Sequence, residues 1–436
     1  MTAIEPNLNH LLASWMPRQR WYPAKGRGVS QHLLGSMRLD DSEGSVGIEV
    51  LVVGLDSGDR LDVVQVPLTY RSEPLAAAEA ALVGELEGHW VYDGPHDLAY
   101  VAALLASLET PGGGRRPVAP SSSRVLTGEQ SNTSVVVDAE GPDPLVVKVF
   151  RTLHPGENPD VVVAAALAAH GCSRVPRPVG WASGNWTTGD GLVATGHLAV
   201  AAEFLTASTD AWAEGAAAAQ AGTDFTRQAR ELGSATAEVH VALAGAFGHS
   251  PVDVATRYEL VEGLRARVHW ALDSAPTLAD HREALEQHAR RLDELRHDPL
   301  PDLQRVHGDY HLGQVLHSPV RGWVLLDFEG EPLRPLSERT RPDVAVRDVV
   351  GMLRSFDYAA GHAGGAQPWA EAAGEAFLAG YAGTTGHDPR EHARLWQALW
   401  LDKALYEVVY ETHNRPDWLA VPLTAVVRAL DSRAGR

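Results

Sequence analysis

Near residue 206 the hydrophobic pattern of this chain changes period, which restricts it to folds where a strand-built part precedes a helix-built part. Before that point VGIEVLVVGL (46–55) and DRLDVVQVPLTY (59–70) alternate or run apolar between Asp/Gly turns, and read as strands. DLAYVAALLASLE (97–109) reads as a helix and runs into PGGGRRPVAPSSS, whose Gly, Pro and Ser mark a linker near residues 110–123. SNTSVVVDA and DPLVVKVF follow as two strands. The helix VVVAAALAAHG comes next, with Gly171 just past its end, then strands in PRPVGWASG and HLAVAAEFL.

Beyond 206, Phe225, Ala229, Leu232 and Val239 share one helical stripe. Leu278, Leu285 and Leu292 recur every seven residues, with Leu295 extending the seam of a helical hairpin partner. PWAEAAGEAFLAGYAG and EHARLWQALWLDKALYEVVYE read as two long helices, whereas the low-complexity run AEGAAAAQAG reads as a helix end or loop. No internal repeat is visible. A chain of 436 residues is too long for one core. The expected divisions are 1–110, 120–205 and 206–436, in the α+β class.

The chemistry is concentrated in RVHGDYHLGQVLHSPVRGWVLLDFEGEP (305–332). Asp309, Gln314 and Asp327 stand there in an order and spacing that resembles kinase-like phosphotransferases. In that pattern one Asp takes the acceptor hydroxyl proton, an amide residue five positions on holds Mg²⁺, and a second Asp at a strand end holds the metal from the other side. Gln314 replaces the usual Asn, and Asp327-Phe328-Glu329 replaces DFG. Phosphoryl transfer asks mainly for positioning and charge neutralisation, which three oxygen donors supply. His307 would then be an internal strut. A rival reading lets His307, Asp309 and His311 converge on a hydrolytic zinc, but leaves Gln314 and LLDFEGEP unexplained. Glu329 and Glu331 fit a metal, a substrate or a plain salt bridge.

The formal charge of −19 argues against nucleic acid or anionic membrane as partners, and makes any ATP site depend on local cations. Lys148, inside LVVKVF, is one of only three lysines and is costly to bury unpaired, so it is expected to meet phosphates. Its acidic partner is open between Glu157 and Asp160, both read as loop residues. Gln130, Ser131, Asn132, Thr133 and Ser134 offer amide and hydroxyl groups where kinases place a Gly-rich phosphate loop; a simple hairpin turn reads the same way. AAEFL (201–205) fits a hinge whose backbone at Glu203 and Leu205 would bind the adenine edge, or an ordinary buried strand end. Arg347 and Asp348 are read as structural, Asp348 as an anchor for the catalytic loop.

In the last long helix Lys403 and Glu407 make an i, i+4 pair. Tyr406, Tyr410, Glu411, Asn414 and Trp418 mix ring faces with acids and amides, the mixture that holds sugars. His311, Glu329, Tyr410, Glu411, Asn414 and Trp418 are therefore the candidate substrate residues. No apolar run approaches the ~20 residues of a membrane span. MTAIEPNLNH lacks the features of a signal peptide, and Cys172 is the only cysteine, so a cytoplasmic location is expected.

QRWYPAKGR (19–27), GEQSNTSVVV (128–137), KVFRTLHPGENPD (148–160), HGDYHLGQVL (307–316), LLDFEGEPLRPLSER (325–339), RDVVGMLRSFDYAA (347–360) and YEVVYETHNRPDWL (406–419) together resemble the actinobacterial maltokinases. These belong to the aminoglycoside-phosphotransferase-like branch of the protein-kinase-like superfamily. The resemblance covers essentially the whole chain. It implies a bilobal fold with an N-terminal β-rich cap, a kinase N-lobe-like part and a helical C-lobe. It also implies that ATP and maltose give maltose 1-phosphate for α-glucan synthesis. Asp309 would be the base, Gln314 and Asp327 the Mg²⁺ ligands, Lys148 the phosphate-binding lysine and Ser131–Ser134 part of the phosphate loop. VVVAAAL departs from the pattern, because an acid is sought on that helix. A related family phosphorylates glucosamine with similar loops, which makes an aminosugar kinase the alternative. A silent nucleotide-binding scaffold is disfavoured by the intact Asp309, Gln314 and Asp327. Trehalose synthase enters as a partner by family analogy only.

Overall fold

The computed structural model describes residues 3–113, 119–127, 132–139, 144–331 and 339–431. They form two compact units, one of residues 1–165 and 176–206, the other of 166–175 and 207–436.

The first unit holds two antiparallel five-stranded sheets. Helix α1 (Pro6–Trp15) precedes β1 (Ser30–Leu39), β2 (Gly47–Asp56), β3 (Leu61–Arg71), β4 (Leu82–Leu86) and β5 (His89–Asp93), which pair in the order β1-β2-β3-β5-β4. After α2 (Leu98–Ser107), strands β6 (Pro120–Val125), β7 (Asn132–Ala139) and β8 (Leu145–Phe150) lead to α3 (Pro159–Ala169). Strands β9 (Pro178–Thr187) and β10 (Val193–Glu203) complete the second sheet in the order β6-β7-β8-β10-β9. Val50 and Val52 of the first sheet and Val135, Val147 and Val149 of the second bury into one shared core.

Polar groups also join the sheets. Gln65 on β3 donates its backbone N–H to Arg151 O at 2.8 Å, and its side chain to Phe150 O at 2.7 Å and Leu198 O at 2.9 Å. Arg151 is fully buried, which demands partners for its charge. It donates twice to Asp93 at 2.6 and 2.8 Å and once to Thr133 Oγ1 at 2.8 Å, and its guanidinium lies 4.7 Å from the Trp21 ring centroid. Segments 1–110 and 120–205, expected as two subdomains, thus lie in one compact unit with a sheet each, except for residues 166–175, which belong to the other unit.

In the second unit α4 (Ala211–Ala221) ends on Gly222 in the left-handed conformation, so AEGAAAAQAG is mostly helix. Helices α5 (Thr226–Phe247) and α6 (Val254–Ser274) follow. The leucine seam expected as one helix is broken into α7 (Arg282–Arg291) between two 3₁₀ turns, yet Leu278, Leu285, Leu292 and Leu295 are all buried. A hairpin of β11 (Val315–Ser318) and β12 (Gly322–Leu325) leads to α8 (Val346–His362), which is buried on nearly every side. Helices α9 (Gln367–Thr385), α10 (Ala393–Asn414) and α11 (Ala420–Asp431) close the unit. No described helix is long and apolar enough to cross a membrane.

Helices α5 and α9 approach at two glycines. A Cβ on Gly380 would collide with Arg230 O, and one on Gly233 with Phe377 O. Both obstacles are backbone and cannot swing aside. Gly380→Ala is expected to cost about 1–3 kcal/mol by overpacking, read as a lower thermal midpoint; an unchanged midpoint would contradict this packing.

Candidate functional site

The loop His307–His311 is held from below by α8. Asp348, 1 % exposed, accepts from the backbone N–H groups of His307 at 2.7 Å and Gly308 at 2.9 Å, and is bonded to His240 Nε2 at 3.0 Å. Burial pushes its carboxyl up, but the His240 bond, the charges of His240 and His307 and the Gly308 N–H outweigh burial and hold it below the usual carboxylate range. Gly308 sits at φ +86°, which keeps the turn open to a residue without a Cβ. Leu312 N donates to Ser355 Oγ at 3.0 Å, and a Cβ on Gly351 would stand 2.5 Å from Tyr310 O. Two turns of one helix therefore fix the loop.

His307 is buried, its Nε2 bonded to Leu326 O at 2.7 Å and its ring against Tyr310 and Phe328. His311 Nδ1 accepts the Gly313 N–H at 3.1 Å. The expected zinc triplet is not among the metal-capable groups of the described residues: both His307 nitrogens are taken, by Leu326 O and the Asp309 N–H, and His311 Nδ1 by the Gly313 N–H. Burial holds the His311 imidazole below its ordinary value, with Asp309 opposing and Lys403 assisting.

Past β12 the chain turns sharply. Asp327 occupies φ +61°, a left-handed conformation that a non-glycine residue adopts at a local cost. The Gln314 side-chain amide lies 3.3 Å from Asp327 Oδ2. A carboxylate oxygen of Glu329 lies within 4.8 Å of one of Asp327. An amide and two carboxylates offer the hard oxygen donors that suit Mg²⁺, and an amide can turn its oxygen toward an ion in place of its NH₂. Glu329, expected beside the substrate, thus stands next to Asp327.

Beside Asp309 opens a cavity of about 450 Å³. Asp309, His311, Tyr410, Glu411 and Trp418 line it, as do Trp212, Tyr358, Tyr406, Lys403, Glu407 and Arg415. Asn414, expected there too, is exposed and donates to Tyr410 O at 2.8 Å in the helix end, away from the lining. Trp418 stacks on Tyr358 at 6.0 Å and on His362 at 5.5 Å, with Trp212 at 6.2 Å. Glu411 is bonded by Tyr358 OH at 3.0 Å and by Arg415 at 2.6 and 2.9 Å.

The i, i+4 pair expected of Lys403 and Glu407 is replaced by longer-range partners. Glu407 is bonded by Arg354 at 2.9 and 3.0 Å, and burial, the largest influence, raises its carboxyl despite that guanidinium. Lys403 reaches Glu331 at 3.1 Å and Asp309 at 3.4 Å. Burial works to lower its ammonium, but Glu331 and Asp309 outweigh it and hold it above the ordinary lysine value. Arg347, Asp402 and Arg267 continue the network, so Arg347 is bonded to Asp343 and Asp402. Trp212 and Tyr358 were not expected there: Trp212 lies in none of the motifs, and Tyr358, although within RDVVGMLRSFDYAA, was not read as a substrate residue.

In the first unit, Lys148 on β8 pairs with Ser134 on one side and Val200 on the other. Its Nζ lies 2.5 Å from Asp160 Oδ2. Asp160 is in the first turn of α3 rather than in a loop, and Glu157 is exposed. Thr133 and Ser134, expected on a phosphate loop, are buried residues of β7, and the Thr133 hydroxyl faces inward to Arg151. Asn132 opens that strand half-buried; Gln130 and Ser131 lie outside the described residues. Glu203 ends β10, its N–H donating to Arg177 O at 3.0 Å, and Leu205 follows half-buried.

Comparison with known proteins places two family descriptions on the chain. Residues 15–97 match the maltokinase N-terminal cap domain and residues 122–399 match the phosphotransferase enzyme family. A glucosamine kinase of Mycolicibacterium smegmatis is 29 % identical over 402 residues, covering 84 % of this chain and 95 % of its own. One from Streptacidiphilus jiangxiensis is 30 % identical over 342 residues, covering 71 % and 74 %. The solved structure of a glucosamine kinase in complex with glucosamine, ADP and inorganic phosphate superposes with a TM-score of 0.68 at 26 % identity, covering 98 % of this chain and 99 % of its own.

Proposed function

Since the chain belongs to the phosphotransferase enzyme family, we propose that it is an Mg²⁺- and ATP-dependent sugar kinase whose acceptor occupies the cavity beside Asp309. The observation that carries this is the position of that carboxylate at a cavity walled by ring faces and acids, in the same unit as the meeting of Gln314 and Asp327. Sugar C–H faces would stack on Trp418 and Tyr410, and hydroxyls would bond Glu411 and His311. Asp309 takes the proton of the attacking hydroxyl as its oxygen bonds to the γ-phosphorus of ATP. The bond from that phosphorus to the β,γ-bridging oxygen breaks, and ADP leaves.

Gln314 and Asp327, with Glu329 alongside, would hold Mg²⁺, which when bound offsets phosphate charge. Lys148, oriented by Asp160, would meet the phosphates near Asn132, and the backbone at Glu203 and Leu205 the adenine edge. On this reading 1–110 is a cap, 120–205 carries nucleotide contacts, and 206–436 carries acceptor and chemistry.

Glucosamine is the acceptor supported best. Three carboxylates, Asp309, Glu407 and Glu411, line the cavity against two cations, Lys403 and Arg415, and aromatic rings add faces that attract an ammonium. The similarity to the two glucosamine kinases points the same way. Maltose, giving maltose 1-phosphate, is the second reading. It is favoured by the cap match and by a volume of about 450 Å³, within the range of sites for drug-sized ligands.

The test is a phosphate-acceptor screen over glucosamine, glucose, maltose and trehalose with ATP and Mg²⁺. The expected outcome is a kcat/KM for glucosamine at least about tenfold above glucose, equivalent to about 1.4 kcal/mol. Preference for maltose would establish the second reading, and no phosphorylation of any saccharide would overturn both.

A further inference from the structure

We propose that Lys403 is a positioning residue that holds the Asp309 carboxylate for transfer, and that Glu331 in turn holds Lys403; this rests on the reading of Asp309 as proton acceptor. Backbone bonds from α8 fix the loop that carries Asp309, but they do not fix its side chain. Among the described residues the one side chain bonded to that carboxylate is Lys403, with Nζ 3.4 Å from Oδ1. A flexible four-carbon stem is a poor anchor by itself. Here it is confined: the lysine side chain is 15 % exposed, the Tyr406 ring centroid lies 5.0 Å from Nζ, and Glu331, 5 % exposed, accepts from Nζ at 3.1 Å.

Glu331 is itself braced. Arg267 lies 3.5 Å from its other oxygen and 3.4 Å from Asp402, and Asp402 is bonded to Arg347 at 2.8 Å. Opposite charges therefore alternate from Asp309 through Lys403, Glu331, Arg267 and Asp402 to Arg347. Each cation lies between two carboxylates, so moving one disturbs its neighbours. The helix periodicity that should have given Lys403 to Glu407 is overridden because Arg354 occupies Glu407. Lys403 is thereby left directed at the loop of Asp309 and at the segment after Asp327.

The consequence is catalytic rather than a matter of nucleotide binding. A general base misplaced by about 1 Å can cost on the order of 10²-fold in rate, whereas the nucleotide contacts proposed for Lys148 involve none of these groups. Lys403→Met, which removes the charge and keeps most of the length, is expected to lower kcat about 10- to 10²-fold with KM for ATP changed less than about twofold. Lys403→Arg should restore part of that kcat. Glu331→Gln should lower kcat by a smaller factor, and the double variant Lys403→Met/Glu331→Gln should be no worse than Lys403→Met, the non-additivity of two residues acting through one contact.

Wild-type kcat in Lys403→Met, or losses that multiply in the double variant, would overturn the proposal. Should Lys403→Met fail to fold, Glu331→Gln and Lys403→Arg decide, and wild-type kcat in Glu331→Gln overturns it. Asp309→Asn, measured beside them, separates the two claims. An active Asp309→Asn removes the reading of the base itself; an inactive one beside a fully active Lys403→Met removes only the role of Lys403.

Discussion

Asp309→Asn is expected to lower kcat about 10²–10⁴-fold, the range for loss of a positioned general base, with the thermal midpoint within a few degrees of wild type. An amide of the same shape keeps the packing and can still accept a bond from Lys403, but it cannot take the hydroxyl proton. The side chain of Asp309 is 19 % exposed at the cavity edge, so little core is disturbed. Coupled ADP release with the acceptor from the screen measures the loss, and a melting curve checks the fold. Activity within tenfold of wild type would show that the proton goes elsewhere.

Asp348→Ala is expected to cost about 3–5 kcal/mol of stability, the range for removing one member of a buried charged contact, and to abolish transfer. Two backbone N–H groups, of His307 and Gly308, and the imidazole of His240 would lose their acceptor at a site 1 % exposed. The loop carrying Asp309 would lose its floor. The sign with pH follows from the lowered carboxyl of Asp348. Its contribution is present above the ordinary aspartate pKa of about 3.9 and is lost as pH falls through the lower folded value. Urea unfolding of wild type and variant should therefore differ most near neutral pH and converge in acid. A difference below about 1 kcal/mol at pH 7 would contradict this anchoring.

The meeting of Gln314 with Asp327 was legible because it is written locally. Asp309, Gln314 and Asp327 lie on one loop and the hairpin that follows it, so spacing along the chain is close to spacing in space. Lys148 was legible as a cation in an apolar strand. Its partner was not, because the choice between Glu157 and Asp160 turned on where α3 begins. Starting the helix at Pro159 puts Asp160 in its first turn.

The lining of the cavity beside Asp309 was half-legible. Tyr410, Glu411 and Trp418 follow one helix and its end, but Trp212 on α4 and Tyr358 on α8 join them only through tertiary packing. Lys403 shows the same limit, since the i, i+4 rule describes an isolated helix and a buried Arg354 outbid it. The leucine seam gave the correct buried face with the wrong continuity. Heptad spacing survives a 3₁₀ turn at either end of a ten-residue helix, so periodicity alone does not register the breaks.

The most direct measurement is a crystal of the protein soaked with ADP, Mg²⁺ and the sugar that the acceptor screen selects. A sugar hydroxyl is expected within about 2.6–3.2 Å of Asp309, and an ion bound by Gln314 and Asp327. A sugar bound away from Asp309, or an ion that these two side chains do not touch, would contradict it.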